Sequence, residues 1–305
     1  MKRFLTLISL LLGFIVLTAC SAISQDNSQT AVSSMPTIEG ITYYGEVPAQ
    51  PKKVVSLNFA NTGYLLQLGF DVVGATSYDI NNPAFKDMLK NTQTVTSEDL
   101  EAIVALEPDL IVTSTTDEKL EQLAAIAPTI AVEYGKHSYL DSLTVFGQIF
   151  DKEDQAQEWQ TNWKEKIASA SENIKSVTGQ GASFTIMGYL GKDLYLFGNN
   201  WGRGGEIIYQ ELGFAAPQKV KDEVFGPGFL AVSQEVLADY AGDYIILAVE
   251  DESLATNLEN SDNWKNLSAV QDNHVLKVDT KAFYFNDPIS LEYQLELLTK
   301  MITTK

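Results

Sequence analysis

Cysteine and histidine are almost missing from this chain: one cysteine, Cys20, and two histidines, His137 and His274. A single cysteine excludes a disulfide within the chain, and so few ligands exclude a Cys/His metal cluster. Cations are scarce too, with 21 Lys and Arg against 40 Asp and Glu and a formal net charge of −19. That balance excludes a nucleic-acid footprint, which needs clustered positive charge. It also disfavours a highly anionic ligand unless basic groups are focused in one place. Catalytic signatures are absent: no GxSxG elbow, no HExxH, and no cysteine nucleophile in the part expected to fold. No pair of carboxylates stands out from so acidic a background, and the two histidines are expected to be structural or at the surface. The expectation is a protein that is not an enzyme.

What is present begins with an address. Lys2 and Arg3 precede an apolar run from Phe4 to Leu17, about 14 residues and too short for a comfortable membrane span. The run ends in Leu17-Thr18-Ala19-Cys20, which resembles the bacterial lipobox. Residues 1–19 are therefore expected to be a signal peptide, and Cys20 the lipid-carrying N-terminus. The alternative is a free thiol after an ordinary signal peptide. Ser21 to Thr37 is rich in Ser, Gln, Asn and Thr, so residues 20–37 read as lipid anchor plus flexible tether. The expected location is the extracellular face of the cell membrane, anchored but not spanning.

The remaining length exceeds what one hydrophobic core usually takes, so two lobes are expected. Between them lies Lys152–Val177, without Gly or Pro, with apolar residues at Ala156, Trp159, Trp163, Ile167, Ala170, Ile174 and Val177. That spacing is one face of an α-helix, roughly 40 Å long at about 1.5 Å per residue. Gly179 follows as a cap. Before the helix, Lys53–Leu57, Val72–Ala75, Leu110–Val112 and Thr129–Val132 read as strands, with helices at Tyr64–Leu68, Glu98–Leu106 and Lys119–Ala125. Ile38–Val47 reads as a short hairpin, and Asn58–Asn61 and Thr76–Pro83 as loops. After the helix, Phe184–Met187, Leu194–Phe197, Tyr244–Leu247 and His274–Val278 read as strands. Helices are expected there at Glu206–Leu212, Gln234–Tyr240, Trp264–Val270 and Leu291–Ile302. Alternation of this kind indicates βαβ units. The fold class is α/β: two α/β lobes with mostly parallel sheets, at 38–150 and 179–305, joined by one long helix at 151–178. One weak internal echo accompanies this plan. Glu101 stands eight residues before Asp109, which opens a strand, and Glu235 eight before Asp243, which opens another.

The most unusual stretch is Leu194 to Glu206, LYLFGNNWGRGGE. Its glycines let a strand-to-helix connection fold tightly and display Trp201 and Arg203 at the end of a strand, where open α/β sheets place ligands. Arginine offers a planar fork of donors and tryptophan a flat apolar face. The alternative is a Gly-rich turn with a structural Trp; a phosphate loop fits badly, because the spacing is not GxxxxGK[ST]. Phe283-Tyr284-Phe285 cannot all face one core, so at least one should be exposed or line a cleft, unless the three pack a lobe junction. Tyr134 and Tyr78 each follow a strand of the first lobe. Each alone is ordinary surface; together with Arg203 they would make an aromatic cleft with one strong cation.

These residues carry a resemblance. The lipobox, the entry Pro51-Lys52-Lys53-Val54-Val55, the segment Glu107-Pro108-Asp109-Leu110-Ile111, the central helix and Trp264-Lys265-Asn266-Leu267 are similar to solute-binding lipoproteins of iron-siderophore ABC importers. Tyr134–Leu140 and Tyr195–Glu206 resemble more narrowly the ferric hydroxamate-binding lipoproteins of Gram-positive bacteria. The resemblance implies the helical-backbone solute-binding fold, with ligand in a shallow interlobe cleft and little hinge closure. It implies that Arg203 donates to hydroxamate oxygens, that Trp201 packs on the siderophore, and that Tyr195, Tyr134, Tyr284, Phe283 and Tyr78 are ligand-side residues. It implies that Glu101 and Glu235 dock onto arginines of the ABC permease. The chain departs at 283–285, where relatives tend to have a Trp flanked by Tyr.

A ferric tris-hydroxamate is close to neutral, so one arginine with aromatics suffices to hold it, whereas a tris-catecholate carries about three negative charges and would want several cations. The siderophore wraps the iron, so no cofactor and no metal ligand from the protein is expected. The partners expected are the siderophore, the permease and the membrane through Cys20, with the protein acting as a monomer. The alternatives are a catecholate, haem or corrinoid carrier, a surface enzyme, or an adhesin that binds divalent metal directly.

Overall fold

The computed structural model describes residues 35–304; the leader, Cys20 and most of the tether lie outside the described residues. Six strands, β1 (Ile41–Tyr44), β2 (Val54–Ser56), β3 (Val72–Ala75), β4 (Gln93–Thr94), β5 (Leu110–Ser114) and β6 (Thr129–Val132), form the first sheet. Five more, β7 (Phe184–Leu190), β8 (Asp193–Phe197), β9 (Phe229–Ala231), β10 (Tyr244–Val249) and β11 (Val275–Asp279), form the second. Their orders are β1-β6-β5-β2-β3-β4 and β11-β10-β7-β8-β9. Val54, Val55, Ile111 and Val112 are fully buried, the mark of strands covered on both faces. The first sheet is parallel except where β1 runs antiparallel to β6. In the second sheet β11, β10 and β7 are parallel, while β8 folds back antiparallel after Gly191 and is joined by β9.

The expected hairpin at 38–47 does not form. Only Ile41–Tyr44 is extended, and it pairs with β6, Ile41 opposite Val132. A return strand would have to run into Pro48, which cannot donate to a ladder. Both expected loops are helical instead. Asn58 caps the helix Phe59–Gln67 by accepting from the Ala60 N–H, and Thr76 and Asp79 close a capping box on Ser77–Asn81. A further helix, Tyr139–Ile149, begins at the Ser138 cap. Trp264–Val270 divides into Asp262–Lys265 and Ser268–Gln271.

The internal echo has a structural meaning. Asp109 accepts from the backbone N–H groups of Lys52 and Lys53, at 2.8 and 2.9 Å. Asp243 accepts from the N–H and hydroxyl of Ser183, both at 2.8 Å. In each lobe an aspartate at the mouth of one strand ties down the start of its neighbour.

The long helix runs over Glu153–Thr178, 26 residues, and buries Ala156, Trp159, Trp163, Ile167, Ala170 and Ile174. Val177 alone departs from the expected face, at 51% exposed, because it lies in the last turn. Trp159 donates to Glu292 on the terminal helix Pro288–Thr303 at 2.7 Å, and Trp163 donates to the Tyr139 hydroxyl at 3.2 Å. One continuous apolar cluster includes Leu65 from the first lobe, Trp163 and Ile174 from the long helix, Phe184 and Phe197 from the second sheet, and Leu298 from the terminal helix. Asn82 adds a buried hydrogen bond to Ser290 at 2.9 Å across the same region.

Candidate functional site

Strand β8 ends at Phe197 and the chain turns through Gly198–Gly205 into a π-wound helix, Glu206–Glu211. The turn is tight enough that a Cβ on Gly205 would stand 2.3 Å from the Gly198 carbonyl. Gly202, at φ 66°, lets this loop press on the 283–287 loop: a Cβ there would lie 2.7 Å from the Tyr284 carbonyl oxygen. Arg203 follows with φ 55°, a left-handed conformation that L side chains rarely adopt and that costs about 1–3 kcal/mol. The backbone N–H of Arg203 donates to the Phe283 carbonyl, which holds it there.

That conformation sets the arginine head group between two rings. Its guanidinium carbon is 4.3 Å from the Phe197 centroid and 4.6 Å from the Tyr284 centroid, and Nη1 donates to the Trp201 carbonyl at 3.0 Å. Arg203 is 5% exposed, and burial lowers its pKa while Tyr284 supports the charged form. The sequence holds only two arginines, Arg3 and Arg203, and among the described residues no carboxylate forms an ion pair with Arg203. The site therefore has one fixed, uncompensated cation.

Trp201 lies against bare backbone. Gly228 has φ 89°, and a Cβ on it would stand 1.8 Å from the indole nitrogen. The edge of Phe229 meets the Trp201 ring with centroids 4.5 Å apart. Tyr195 stands behind Phe229 at 5.9 Å. From the first lobe come Tyr134, 61% exposed, and Tyr78, 54% exposed. Tyr78, Phe59 and Tyr284 form a ring cluster across the lobes, with Tyr284 5.1 Å from Phe59 and 5.5 Å from Tyr78.

Three connected spaces lie between the lobes, and Tyr134 and Trp201 line all of them. The narrowest is lined by Phe59, Arg203 and Tyr284. The second, about 570 Å³, is mixed polar and apolar, with Asn58, Lys136, His137 and Ser142 on one side and Asn199, Glu206 and Gln210 on the other. The third, about 600 Å³, opens outward past Thr113 and Glu118. Trp201, Arg203, Tyr284 and Tyr134 thus come together as expected from the sequence. Tyr78 and Tyr195 line none of these spaces; Tyr78 packs on Phe59 and Tyr284, and Tyr195 on Phe229. Phe283 is a correction: it is 0% exposed and belongs to the apolar core. Of the three consecutive aromatics, Phe283 lies wholly in the core, Phe285 is buried but edges the narrowest space, and Tyr284 lines two of the three spaces. Phe59 and Phe229 were not anticipated. A helix start at the Asn58 cap would have signalled the first, whereas Phe229 becomes visible only through its partner Trp201.

Glu101, on the helix Leu100–Ala105, and Glu235, on the short helix Gln234–Asp239, are both exposed and line none of the three spaces. His137, which also lines the second space, touches the Glu39 carbonyl at 2.7 Å, and His274 stacks on Tyr244 at 4.2 Å away from all three spaces. Among the described residues no group of three or more His, Cys, Asp or Glu could hold a metal ion, and no helix is long and apolar enough to cross a membrane.

Comparison with known proteins agrees with this geometry. Residues 54–282 match the periplasmic binding protein family. The chain is 38% identical over 303 residues to the iron(3+)-hydroxamate-binding protein FhuD of Bacillus subtilis, covering 96% of this chain and 95% of that one. It is 35% identical to the iron(3+)-hydroxamate-binding protein YxeB of the same organism, covering 96% of each. The structure of FhuD2 from Staphylococcus aureus with bound ferrioxamine B superposes with a TM-score of 0.77 at 32% identity, covering 83% of this chain and 99% of that one. The chain belongs to the periplasmic binding protein family, and within it to the group whose relatives of similar length and fold are iron(3+)-hydroxamate-binding proteins.

Proposed function

We propose that this protein captures ferric hydroxamate siderophores in the interlobe cleft and delivers them to an ABC permease for iron uptake. The observation that carries the reading is Arg203, held between Phe197 and Tyr284 beside Trp201, the cleft cation without an ion-pair partner among the described residues, since Lys136 is paired with Glu39. A guanidinium donates to the oxygens that surround hydroxamate-bound iron, and the aromatic faces pack on the organic shell. The iron is cargo and stays ligated by the siderophore, so the protein binds the complex and performs no reaction on it. One uncompensated positive charge suits a nearly neutral complex and is too little for a tris-catecholate of about three negative charges.

Glu101 and Glu235 dock the loaded protein on the permease, one from each lobe, and a lipid on Cys20 keeps it at the outer face of the membrane as a monomer. The domain plan that goes with this is a first lobe at 38–150, the connecting helix at 151–178 and a second lobe at 179–305.

Tryptophan fluorescence, titrated with ferrichrome, ferrioxamine B, a ferric catecholate and haem, tests the ligand class. Strong quenching by the two hydroxamates is expected. Tight binding of the catecholate or haem without a hydroxamate response would overturn the reading. The Glu101→Ala/Glu235→Ala double variant is expected to keep ligand affinity and lose iron delivery in cells.

A further inference from the structure

Glu206 is 2% exposed, yet it is a carboxylate beside an apolar core. Its Oε1 accepts from the Gly202 N–H and from Asn286 Nδ2, both at 3.2 Å, while its Oε2 is buried with no hydrogen-bond partner among the described residues. Gly202 belongs to the loop that displays Trp201 and Arg203, and Asn286 to the loop that displays Tyr284. One oxygen atom thus ties together the two loops that hold the guanidinium between its rings. Burying an incompletely bonded carboxyl is costly, and an apolar side chain would fill the same volume without that cost. The carboxyl therefore needs a role that packing does not supply.

We propose that Glu206 is a positioning residue of the ligand cleft, fixing the Trp201–Arg203 loop against the Tyr284 loop so that the Arg203 head group is already in place before ligand arrives. It acts through Arg203 and Tyr284, from the wall of the second space of the cleft. The proposal rests on the siderophore reading for its ligand but not for its geometry. Pre-placement matters because an arginine that must be ordered on binding loses affinity to conformational entropy. Burial favours the neutral acid at Glu206, and a glutamine has the same shape, the same accepting oxygen and no charge.

Two readouts separate this from a merely structural role. The sequence holds only Arg3 and Arg203, so a ¹⁵N-labelled protein gives at most two arginine Nε–H resonances; Arg203→Lys assigns the one that belongs to Arg203, which its two ring neighbours should shift without any ligand. In Glu206→Ala we expect that resonance to move toward the free-arginine position. Affinity for ferrioxamine B should fall by about tenfold or more. Glu206→Gln should restore both. An unshifted Arg203 resonance in Glu206→Ala, or a Glu206→Gln that behaves like Glu206→Ala, would overturn the proposal. Should Glu206→Ala fail to fold, Asn286→Ala removes the same bond from the other loop and must move the resonance in the same direction. If the wild type binds no hydroxamate, the functional reading fails, and the resonances still decide the positioning role.

Discussion

Arg203 lies over the ring of Tyr284 with its guanidinium carbon 4.6 Å from the centroid, although eighty positions of chain separate the two. A planar guanidinium can stack on a ring and donate at its edge at once; an ammonium cannot. Arg203→Lys keeps the charge and loses the stack and the fork. Hydrogen bonds to charged groups contribute about 1.5–3 kcal/mol each, so ferric hydroxamate affinity should fall by roughly ten- to a hundredfold, as measured by fluorescence titration.

Gly228 decides where Trp201 can be. A methyl group there would overlap the indole nitrogen, at 1.8 Å, on a backbone with φ 89°. Gly228→Ala should displace the indole, reduce ligand-induced quenching and weaken binding, with the far-ultraviolet circular dichroism unchanged. Quenching equal to that of the wild type would contradict this placement of Trp201.

Acidity should stabilise the protein over part of the range. Burial pushes the carboxyls of Asp79 and Asp287 up to about 6, above the value of about 3.9 expected in the unfolded chain. Between those values the folded state binds more protons than the unfolded state, so stability rises as pH falls from above 6 toward about 4. Below that, carboxylates whose pKa is lowered by hydrogen bonding in the fold, among them Asp99 and Asp251, are protonated at a cost. The melting temperature should be higher at pH 5 than at pH 7.5, and Asp79→Asn should flatten that dependence. A melting temperature that falls steadily from pH 7.5 to 5 would be the opposite result.

The buried cluster that includes Trp163 crosses from one lobe to the other, which leaves little freedom for one lobe to rotate on the other. Trp163→Ala should cost about 3–5 kcal/mol of stability, the usual range for removing a buried large aromatic, seen by calorimetry. The radius of gyration from solution scattering should be the same with and without ligand. A large contraction on binding would contradict the rigid connection.

The sequence made much of the frame legible. The 3.6-residue spacing across Ala156–Ile174 identified the long helix to within a residue at each end, because one face of that helix is buried throughout its length. The strand Thr129–Val132 is legible at its observed bounds for a similar reason: the apolar run Ile130–Val132 follows directly on Thr129 and the Pro128 turn. Segments whose structure is decided by local side-chain hydrogen bonds are not legible in this way. The Asn58 cap and the Thr76–Asp79 box turn apparent loops into helices, and hydrophobic periodicity does not register such bonds.

The site divides in the same way. By itself, the sequence determined that a Gly-rich turn at the end of a strand would display Trp201 and Arg203, because glycine supplies the backbone angles such a turn requires. It also determined that any ligand would meet very little positive charge. Only the tertiary structure decided how the three adjacent aromatics divide between core and cleft. Phe283 and Phe285 are claimed by the core and Tyr284 by Arg203, a choice set by the close approach of Gly202 to the Tyr284 carbonyl. The tertiary structure also decided that Glu206 and Phe59 belong to the cleft wall and that Phe229 backs Trp201. Their roles come from neighbours distant in sequence, and a contact between distant positions leaves no periodic trace in the chain.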